Sequence, residues 1–380
     1  MRLLHTSDWH LGASDSNLSY KDDQLCFIDE ICDLIDEKRI DAVIIAGDVY
    51  DRSQASAEAV AVYDYAMTRI CIEKRALVLE IAGNHDSAER LASCSELLSG
   101  AGLYVSGSLS RKPVIVEREG TQVFLLPWIT EEKVRSVYSD KKDMIHSLDD
   151  AYRVVTDDLK TYFDPDKKHI LTAHAFVTNS ETSTSDRAAE IGFAAQISAS
   201  VFDGFDYVAL GHIHKPQDVN AFVRYSGTPM AYSFGKEETQ EKSVTIIDTE
   251  TLEKEIVPLH PYRRRTTLTG TLKELQAPDV DEDVKKGFVK LVVTDAYVGP
   301  ETMSRFYELY ENLLEVSGIT YESSESENRL TLEELEQIES DPVAVFKEFC
   351  KEEMDLDADD HLIGLFKNAV EEVSAKEAEA

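Results

Sequence analysis

The chain has 380 residues, of which 43% are hydrophobic and 29% charged, enough for two or three domains with a large core. No run of 18 or more apolar residues occurs, and the N-terminal segment lacks the apolar stretch of a secretory signal, so we expect a cytoplasmic protein with no membrane span. The net charge of −34 argues against a generic nucleic-acid binder, whose surface is normally basic.

The acidic balance leaves two interpretations open. Acidic side chains can simply keep the protein soluble. Alternatively, bound metal ions and a partner subunit supply the positive charge that a nucleic acid requires. The five cysteines are odd in number and none lies in a Cys-x-x-Cys pair, which favours reduced thiols without a metal-binding or catalytic role.

Short apolar runs alternate with amphipathic stretches at the start of the chain. Strands are predicted at residues 3–4, 42–46 and 77–82, and helices at residues 24–37 and 55–73. This alternation is typical of an α/β layer.

The strands further along the chain have a more antiparallel pattern. Residues 114–116 and 123–126 flank Gly120 and predict a hairpin. Further strands are predicted at 170–173, 207–210 and 244–248, with a helix at 149–163. The sequence therefore predicts an α/β fold, a sandwich of two sheets flanked by helices, that ends near residue 259.

A second, smaller α/β unit is predicted to begin near Tyr262. It has strands at 266–272 and 288–293 and a helix at 301–316. Arg263, Arg264 and Arg265 form a compact basic cluster, which is either a solvated linker or a contact for nucleic acid or a partner. The acidic C-terminal segment carries two amphipathic helical stripes, at 343–350 and 362–373, which either pack on their own domain or dock onto a partner helix.

Five short polar motifs each follow a predicted strand. They are Asp8-Trp9-His10, Gly47-Asp48-Val49-Tyr50-Asp51, Gly83-Asn84-His85-Asp86, Ala173-His174 and Gly211-His212-Ile213-His214. Binding sites of α/β sheets lie at the carboxyl ends of strands, and Asp, Asn and His are suitable donors for divalent metals. Seven of these side chains can serve two ions: Asp8, His10, Asp48, Asn84, His174, His212 and His214.

Local geometry supports this interpretation of the motifs. Asp8 and His10 are two residues apart, so on an extended chain both side chains point the same way. The two carboxylate oxygens of Asp48 can bridge two ions. Each glycine before Asp48, Asn84 and His212 allows a sharp turn at the end of a strand.

The five motifs resemble the blocks of the calcineurin-like metallophosphoesterase superfamily over residues 2–248. Within it, the chain is similar to the bacterial SbcD-type family of double-strand-break repair nucleases, in its opening HTSDWHLG, in residues 211–216 and in residues 225–229. The resemblance implies a metallophosphoesterase two-sheet nuclease domain (1–260), a small α/β capping domain (261–325) and acidic C-terminal helices (326–380) as a candidate docking segment for an ATPase partner.

The resemblance also implies roles for the motif residues. Asp8, His10, Asp48 and His214 surround one metal, whereas Asp48, Asn84, His174 and His212 surround the second. The expected cofactors are two divalent ions, Mn²⁺ by analogy with the family. His85 is expected to be catalytic, contacting the scissile phosphate and assisting the leaving group.

Four further side chains in or near the motifs are not predicted metal ligands. Asp51 and Asp86 are expected to orient metal ligands without binding metal themselves. At Asp51 some relatives carry a histidine, so no DNA-contacting role is transferred to it. Arg52 and Arg90 are either phosphate contacts or surface charges.

The resemblance implies a metal-dependent DNA nuclease, combining a double-strand 3′–5′ exonuclease with a single-strand and hairpin endonuclease. Such a subunit acts in DNA repair with an SbcC-type ATPase, as a homodimer within a heterotetramer. A small-molecule phosphodiesterase of the same superfamily fits the motifs equally well but has no need of a cap or docking helices. A protein phosphatase is disfavoured because no glycine follows Arg52, and an inactive scaffold because every expected ligand is present.

Overall fold

The computed structural model describes residues 1–15, 18–183, 185, 196–276, 280–318, 363 and 366. The chain divides into two compact units, Met1–Ile319 and Thr320–Ala380. In the second unit Ile363 and Phe366 are described, and both are helical. The remaining residues of the two predicted C-terminal stripes lie outside the described residues. None of the described helices is both long and apolar enough to cross a membrane.

The secondary structure of the described residues follows the alternation predicted for the chain. The strands are β1 (Arg2–Thr6), β2 (Ser14–Asp15), β3 (Leu18–Ser19), β4 (Ala42–Ile45), β5 (Leu77–Ile81), β6 (Leu103–Ser106), β7 (Val114–Arg118), β8 (Thr121–Leu125), β9 (Lys168–His174), β10 (Phe176–Val177), β11 (Gln196–Ile197), β12 (Tyr207–Gly211), β13 (Gln217–Asp218), β14 (Val223–Tyr225), β15 (Ser243–Asp248), β16 (Lys254–Pro258), β17 (Arg265–Gly270), β18 (Phe288–Val293) and β19 (Asn312–Ser317). The α-helices are α1 (Lys21–Lys38), α2 (Ala57–Met67), α3 (Ala88–Leu91), α4 (Ser95–Ser99), α5 (Glu131–Val137), α6 (Leu148–Lys160), α7 (Leu272–Leu275), α8 (Glu282–Lys286) and α9 (Pro300–Leu309).

Local sequence signals explain where several helices begin and end. The Ser56 side chain accepts a hydrogen bond from the Ala59 N–H and caps α2, and Ser147 caps α6 in the same way. The helix predicted over 55–73 continues from α2 into a π-helical turn, Thr68–Glu73. α1 ends where Arg39 adopts a left-handed conformation with φ of 53°.

Two six-stranded sheets form the predicted sandwich. The first has the order β16-β15-β1-β4-β5-β6, and its strands β1, β4, β5 and β6 are parallel. The second has the order β13-β14-β12-β9-β8-β7. The antiparallel pattern expected for the later strands is confirmed for the β7–β8 hairpin and for β15, which pairs antiparallel with β1 and β16. It is wrong for the middle of the second sheet, where β8, β9, β12 and β14 are parallel neighbours. Helical crossovers such as α6 between β8 and β9 permit this arrangement.

Alternating side chains divide the core into layers. Ala42 and Ile44 of β4 face the second sheet, where they pack in one cluster with Val123 and Ala209. Val43 and Ile45 face the opposite way and join a cluster that includes Ile31 of α1. A third cluster covers the outer face of the second sheet and includes Val134 of α5 and Tyr152 of α6. Period-two alternation on strands buried on both faces therefore fixes the sandwich.

The small α/β unit predicted after residue 262 contains a parallel sheet in the order β17-β18-β19 with its own apolar core. The predicted helix 301–316 is only partly correct. α9 ends at Leu309, and the chain continues as β19, in which Leu313 pairs with Val289 of β18. Pairing with a neighbouring strand overrides the helical spacing of these residues.

Candidate metal centre

The structure brings all seven predicted metal ligands together at the carboxyl ends of five strands. Asp8 and His10 follow β1, Asp48 follows β4, and Asn84 follows β5. His174 is the last residue of β9, and His212 and His214 follow β12. The first two loops are joined directly, since the Asp8 N–H donates to the Gly47 carbonyl at 3.0 Å and the His10 N–H donates to the Asp48 carbonyl at 3.0 Å. The prediction that these side chains gather at one edge of the sandwich agrees with this geometry.

The backbone reaches this arrangement by a different route from the one expected. Asp8 and His10 do not lie on an extended chain, because their φ angles are 53° and 43°. Asp48 and His212 also have positive φ angles, of 50° and 100°. Left-handed conformations at non-glycine residues are uncommon and cost free energy, and they concentrate at functional sites. The ligand loops are therefore sharply bent segments held by their surroundings.

Close approach, in addition to turn geometry, explains two of the glycines that precede ligands. Gly47 has φ of 91°, as a sharp turn requires. A Cβ at Gly83 would lie 2.1 Å from Asp48 Oδ1, and one at Gly211 would lie 2.0 Å from the Ala46 carbonyl. Any side chain at these two positions would collide with the ligand loop after β4.

Asp48 occupies the centre of the cluster. Its Oδ2 lies 3.4 Å from His174 Nε2, 4.0 Å from His10 Nε2 and 3.9 Å from His85 Nε2. Its Oδ1 accepts a hydrogen bond of 2.9 Å from the His85 backbone N–H. One carboxylate therefore faces both halves of the cluster, which is the geometry that a bridging ligand requires.

One half of the cluster is centred on the amide oxygen of Asn84. Asn84 Oδ1 lies 2.8 Å from His174 Nε2 and 3.1 Å from His212 Nδ1. The other ring nitrogen of His174, Nδ1, is 2.8 Å from the Ala46 carbonyl, so Nδ1 carries a proton and Nε2 is the nitrogen that can bind a metal.

The other half contains Asp8, His10 and His214. One donor atom from each of these residues lies within 4.8 Å of the others, as is also true of Asp8, Asp48 and His174. His10 Nε2 is 3.1 Å from His214 Nε2. The Asp8 carboxylate accepts the His212 backbone N–H at 2.9 Å, which ties the loop after β12 to the loop after β1.

His85, Asp51 and Asp86 border the cluster. His85 Nδ1 lies 2.9 Å from the Asp51 carbonyl, which leaves Nε2 directed toward the cavity. The Asp51 carboxylate lies 3.8 Å from His10 Nδ1. Asp86 accepts the backbone N–H groups of Val49, Tyr50 and Gly83 at 2.9–3.1 Å, so it joins the loops that carry Asp48 and Asn84.

A cavity of about 260 Å³ opens onto this cluster. Sequence reasoning missed several of its wall residues because they lie outside the motifs. Tyr232 is one of them: its ring centroid lies 5.5 Å from that of His10, and its hydroxyl donates to the Trp9 carbonyl. Trp128, outside the cavity wall, stacks on the His212 ring with centroids 5.4 Å apart. The sequence distinguishes Trp128 only by its position directly after Pro127, which follows a predicted strand.

Burial and mutual charge govern protonation of the cluster. Burial lowers the pKa of His10 and of His212 to about 3, so both rings are neutral at pH 7. Burial also lowers the pKa of His174, but the Asp48 and Asp8 carboxylates outweigh it and raise the value to about 9. Burial raises the pKa of Asp8 to about 8, and the Asp48 charge adds to this effect. Like charges and buried acids of this kind are characteristic of functional sites.

The donor set fits divalent metal ions. Two carboxylates, one amide oxygen and four imidazoles converge, and oxygen with imidazole ligands suits manganese, iron or zinc. The buried His10 Nδ1 has no hydrogen-bond partner among the described residues. A buried polar cluster with unmet donors and acceptors is costly for a protein, and cations offset that cost.

The nearby arginines divide into exposed and structural groups. Arg52 is 78% exposed, with its Nε 3.3 Å from Asp51 Oδ2, and Arg90 is also exposed. Arg263 and Arg265 do not form a solvated linker. Arg265 is 4% exposed and donates to Tyr20 and to the Ala231 carbonyl, so it joins β17 to the cavity wall. Arg264 remains exposed.

Comparisons with known proteins agree with this geometry. The sequence model of a family described as calcineurin-like phosphoesterase matches residues 1–216, and one described as type 5 capsule protein repressor C-terminal domain matches residues 261–354. A curated relative from Staphylococcus epidermidis, the SbcD component of the nuclease SbcCD, is 29% identical over 330 residues, which cover 86% of this chain and 87% of the relative. A solved structure of Thermus thermophilus TT1561, 14% identical, covers 68% of this chain and 99% of its own with a TM-score of 0.40, a likeness too weak to bear on function.

Proposed function

Because the chain belongs to the calcineurin-like phosphoesterase family, we propose that it is a DNA nuclease subunit whose candidate metal centre hydrolyses phosphodiester bonds. The observation that carries the proposal is the convergence of six metal-donor side chains on a seventh, Asp48. Beside them lies His85, whose ring is held by the Asp51 carbonyl and lines the cavity. A two-metal centre of this composition suits phosphoester hydrolysis, which needs charge neutralisation and an activated water.

DNA is the favoured substrate for two reasons. The relative from Staphylococcus epidermidis is a nuclease subunit, and its similarity extends over most of both chains. In addition, a small parallel sheet, β17-β18-β19, follows the phosphoesterase sandwich and supports the proposal of a capping domain over residues 261–325. A small-molecule phosphodiesterase would not need this addition.

We assign the metal ligands as the motifs suggest. Asp8, His10, Asp48 and His214 would hold one ion, and Asp48, Asn84, His174 and His212 the other, with Mn²⁺ as the proposed metal. Such ions supply Lewis-acid charge and lower the pKa of a bound water. Asp86 and Asp51 would keep the ligand loops in place through the contacts described above.

His85 is the proposed catalytic side chain of the protein itself. Its Nδ1–H donates to the Asp51 carbonyl, which fixes the ring and leaves Nε2 to face a phosphate in the cavity. A protonated Nε2 would donate to a non-bridging oxygen or to the leaving sugar oxygen. The ring is tied to the ligand loop, because the His85 backbone N–H donates to Asp48.

The proposed partners follow from the family resemblance of the motifs, and the name of the Staphylococcus epidermidis relative, a subunit of SbcCD, supports a partner subunit. An SbcC-type ATPase subunit would supply ATP dependence and much of the DNA affinity that a chain with net charge −34 lacks. Residues 326–380 are the proposed docking segment, and the assembly would be a homodimer of this chain within a heterotetramer in the cytoplasm.

The decisive experiment is cleavage of linear and hairpin duplex DNA by the purified chain with Mn²⁺, with and without the ATPase partner. Asp48→Ala should abolish manganese-dependent cleavage, because it removes the carboxylate at the centre of the cluster. Cleavage that persists in this variant would contradict the bridging role. Hydrolysis of bis-p-nitrophenyl phosphate without any DNA cleavage, even with the partner, would favour the small-molecule phosphodiesterase instead.

A further inference from the structure

The Nδ1 edge of the His214 ring meets the half-buried Ser185, which in turn contacts buried charged side chains outside the five motifs. Ser185 Oγ is 2.5 Å from His214 Nδ1, and Ser185 also hydrogen-bonds to Glu237 Oε1. Glu237 is 1% exposed and Lys242 is 6% exposed. The Lys242 Nζ lies 3.5 Å from Glu237 Oε2. A buried carboxylate therefore reaches a proposed metal ligand through one hydroxyl group.

Glu237 is held as an anion by fixed donors. Its Oε2 accepts the Tyr232 N–H at 2.8 Å and the Ser233 N–H at 3.4 Å. Burial raises the pKa of Glu237, but the Lys242 charge and the hydrogen bonds outweigh burial and lower the pKa below its usual value of 4.5. Lys242 also donates to the His214 carbonyl at 3.3 Å, so its ammonium group binds the backbone of His214 as well as the Glu237 carboxylate.

The number of available protons fixes which group donates in each hydrogen bond between Glu237, Ser185 and His214. A carboxylate only accepts hydrogen bonds, so Ser185 must donate its single hydroxyl proton to Glu237. Ser185 Oγ can then only accept from His214, which places a proton on His214 Nδ1. The lone pair of the neutral ring then lies on His214 Nε2, at the ring edge 3.1 Å from His10 Nε2.

We propose that Glu237, acting through Ser185, is a positioning residue that locks His214 in its Nδ1–H form and directs Nε2 at the metal centre. The inference rests on the proposed metal function. Hydrogen bonding to the far nitrogen of a metal-binding histidine fixes the ring orientation and strengthens its donor nitrogen, and losing it commonly weakens metal binding 10- to 100-fold.

The neighbouring residue Glu238 supplies a matched control. Both glutamates belong to the short 3-10 helix Lys236–Glu238. Glu238 faces the small sheet, where its carboxylate accepts the Thr267 N–H at 2.7 Å and the Thr267 hydroxyl at 2.6 Å. Glu238→Gln therefore makes the same charge change one residue away without touching the Ser185–His214 contact.

The test measures two properties of the metal-free, full-length protein. Calorimetric titration with Mn²⁺ alone should show 10- to 100-fold weaker binding in Ser185→Ala and Glu237→Gln, and unchanged binding in Glu238→Gln. Ser185→Thr retains the hydroxyl and should restore near-wild-type affinity. ¹⁵N-histidine NMR should show His214 protonated at Nδ1 in the wild type and a mixture of tautomers in Ser185→Ala.

Mn²⁺ titration and histidine NMR together distinguish the positioning role of Glu237 from the proposed metal function. Wild-type Mn²⁺ affinity and an unchanged His214 tautomer in Ser185→Ala would overturn the positioning role of Glu237. Equally weakened Mn²⁺ binding in Glu238→Gln would overturn it as well. A wild-type chain that binds no Mn²⁺ would refute the proposed function. The tautomer comparison would still show whether Ser185 and Glu237 fix the protonation of His214. If Glu237→Gln fails to fold because Lys242 loses this carboxylate, the Ser185 variants give the answer alone.

Discussion

The histidines of the centre differ in what their second ring nitrogen contacts. His174 Nδ1 faces the Ala46 carbonyl and His85 Nδ1 faces the Asp51 carbonyl. Both rings therefore direct Nε2 toward Asp48, but only His174 Nε2 also contacts Asn84, at 2.8 Å. His85 lies at the margin, with its Nε2 3.9 Å from Asp48. This difference supports the proposal that His174 binds metal and that His85 contacts substrate.

Replacing His85 should separate binding of metal from catalysis. His85→Ala removes no predicted ligand, so Mn²⁺ stoichiometry should stay near that of the wild type while DNA cleavage falls by roughly 10²- to 10⁴-fold. Metal content and cleavage rate measured on the same preparation check this. Parallel loss of both would mean that His85 is itself a ligand.

Glu80 is a buried acid outside the metal cluster with an unusual protonation state. It is fully buried, Tyr63 donates to its Oε1 at 3.1 Å, and its Oε2 has no hydrogen-bond partner in the described part of the chain. Burial, together with the Asp86 charge, raises the pKa of Glu80 from 4.5 to about 8. The folded protein therefore holds a proton at pH 7 that the unfolded chain releases.

The sign of the resulting pH dependence follows from this raised pKa. Between about pH 4.5 and 8 the folded state binds more protons than the unfolded state, so Glu80 makes stability fall as pH rises, by up to about 1.4 kcal/mol per pH unit. Glu80→Gln should lose this slope. The variant should therefore be more stable, relative to the wild type, at pH 8 than at pH 5. Unfolding in chelator at the two pH values measures it. The exposed Glu96→Gln is the control, and equal slopes for all three proteins would contradict the prediction.

Loops that follow strands, more than the strands themselves, create the site at the scale of secondary-structure elements. The loop after β5 presses against the loop after β4 at Gly83, where no Cβ fits beside Asp48. Asp86 then ties the same two loops together by accepting three backbone N–H groups. The position of Asp48 thus depends on a contact between two elements.

A single methyl group should disrupt this contact. In Gly83→Ala the new Cβ would lie 2.1 Å from Asp48 Oδ1 and 2.4 Å from the Asp48 nitrogen, so the carboxylate must move. We expect Mn²⁺ affinity and cleavage both to fall at least about tenfold while the far-UV circular dichroism stays unchanged. Gly299→Ala, whose Cβ would meet nothing closer than 3.9 Å among the described residues, should behave as wild type. Full Mn²⁺ affinity in Gly83→Ala would contradict this prediction, because the loop after β4 would then accommodate the new methyl group without displacing Asp48.

At the scale of the whole molecule, arginine side chains join the small sheet to the sandwich. Arg265 begins β17, donates to the Tyr20 hydroxyl and to the Ala231 carbonyl, and packs against the rings of Tyr20, Phe234 and Phe288. Arg263 donates to Asp23 of α1. Tyr20 also lines the cavity, so this junction borders the metal centre.

Loss of the buried guanidinium should therefore weaken the junction. Arg265→Met leaves the Tyr20 and Ala231 oxygens without their donor and should lower the free energy of unfolding by about 2–4 kcal/mol. Arg264→Met changes the same charge at an exposed position and should stay within about 0.5 kcal/mol of wild type. Thermal or denaturant unfolding compares the three proteins. Equal stability of both variants would contradict a structural role for Arg265.

The sequence by itself determined the two-sheet fold, the strands that precede each motif, and the seven candidate ligands. These features are local: a buried strand shows in a short apolar run, and a ligand loop shows in the Asp, Asn and His residues directly after it. The bounds of strands such as β4, β5 and β18 also followed closely, because the apolar runs that predict them are local.

Only the tertiary structure decided what depends on chain segments far apart in sequence. β19 became a strand because β18 lies beside it. β8 and β9 became parallel because the crossover through α6 returns the chain in the same direction. The left-handed bends at Asp8 and His10, and the contacts of Ser185, Glu237, Trp128 and Arg265, likewise carry no local sequence signal. A pattern along the chain identifies a residue's chemistry, but its partners are fixed only when packing brings distant segments together.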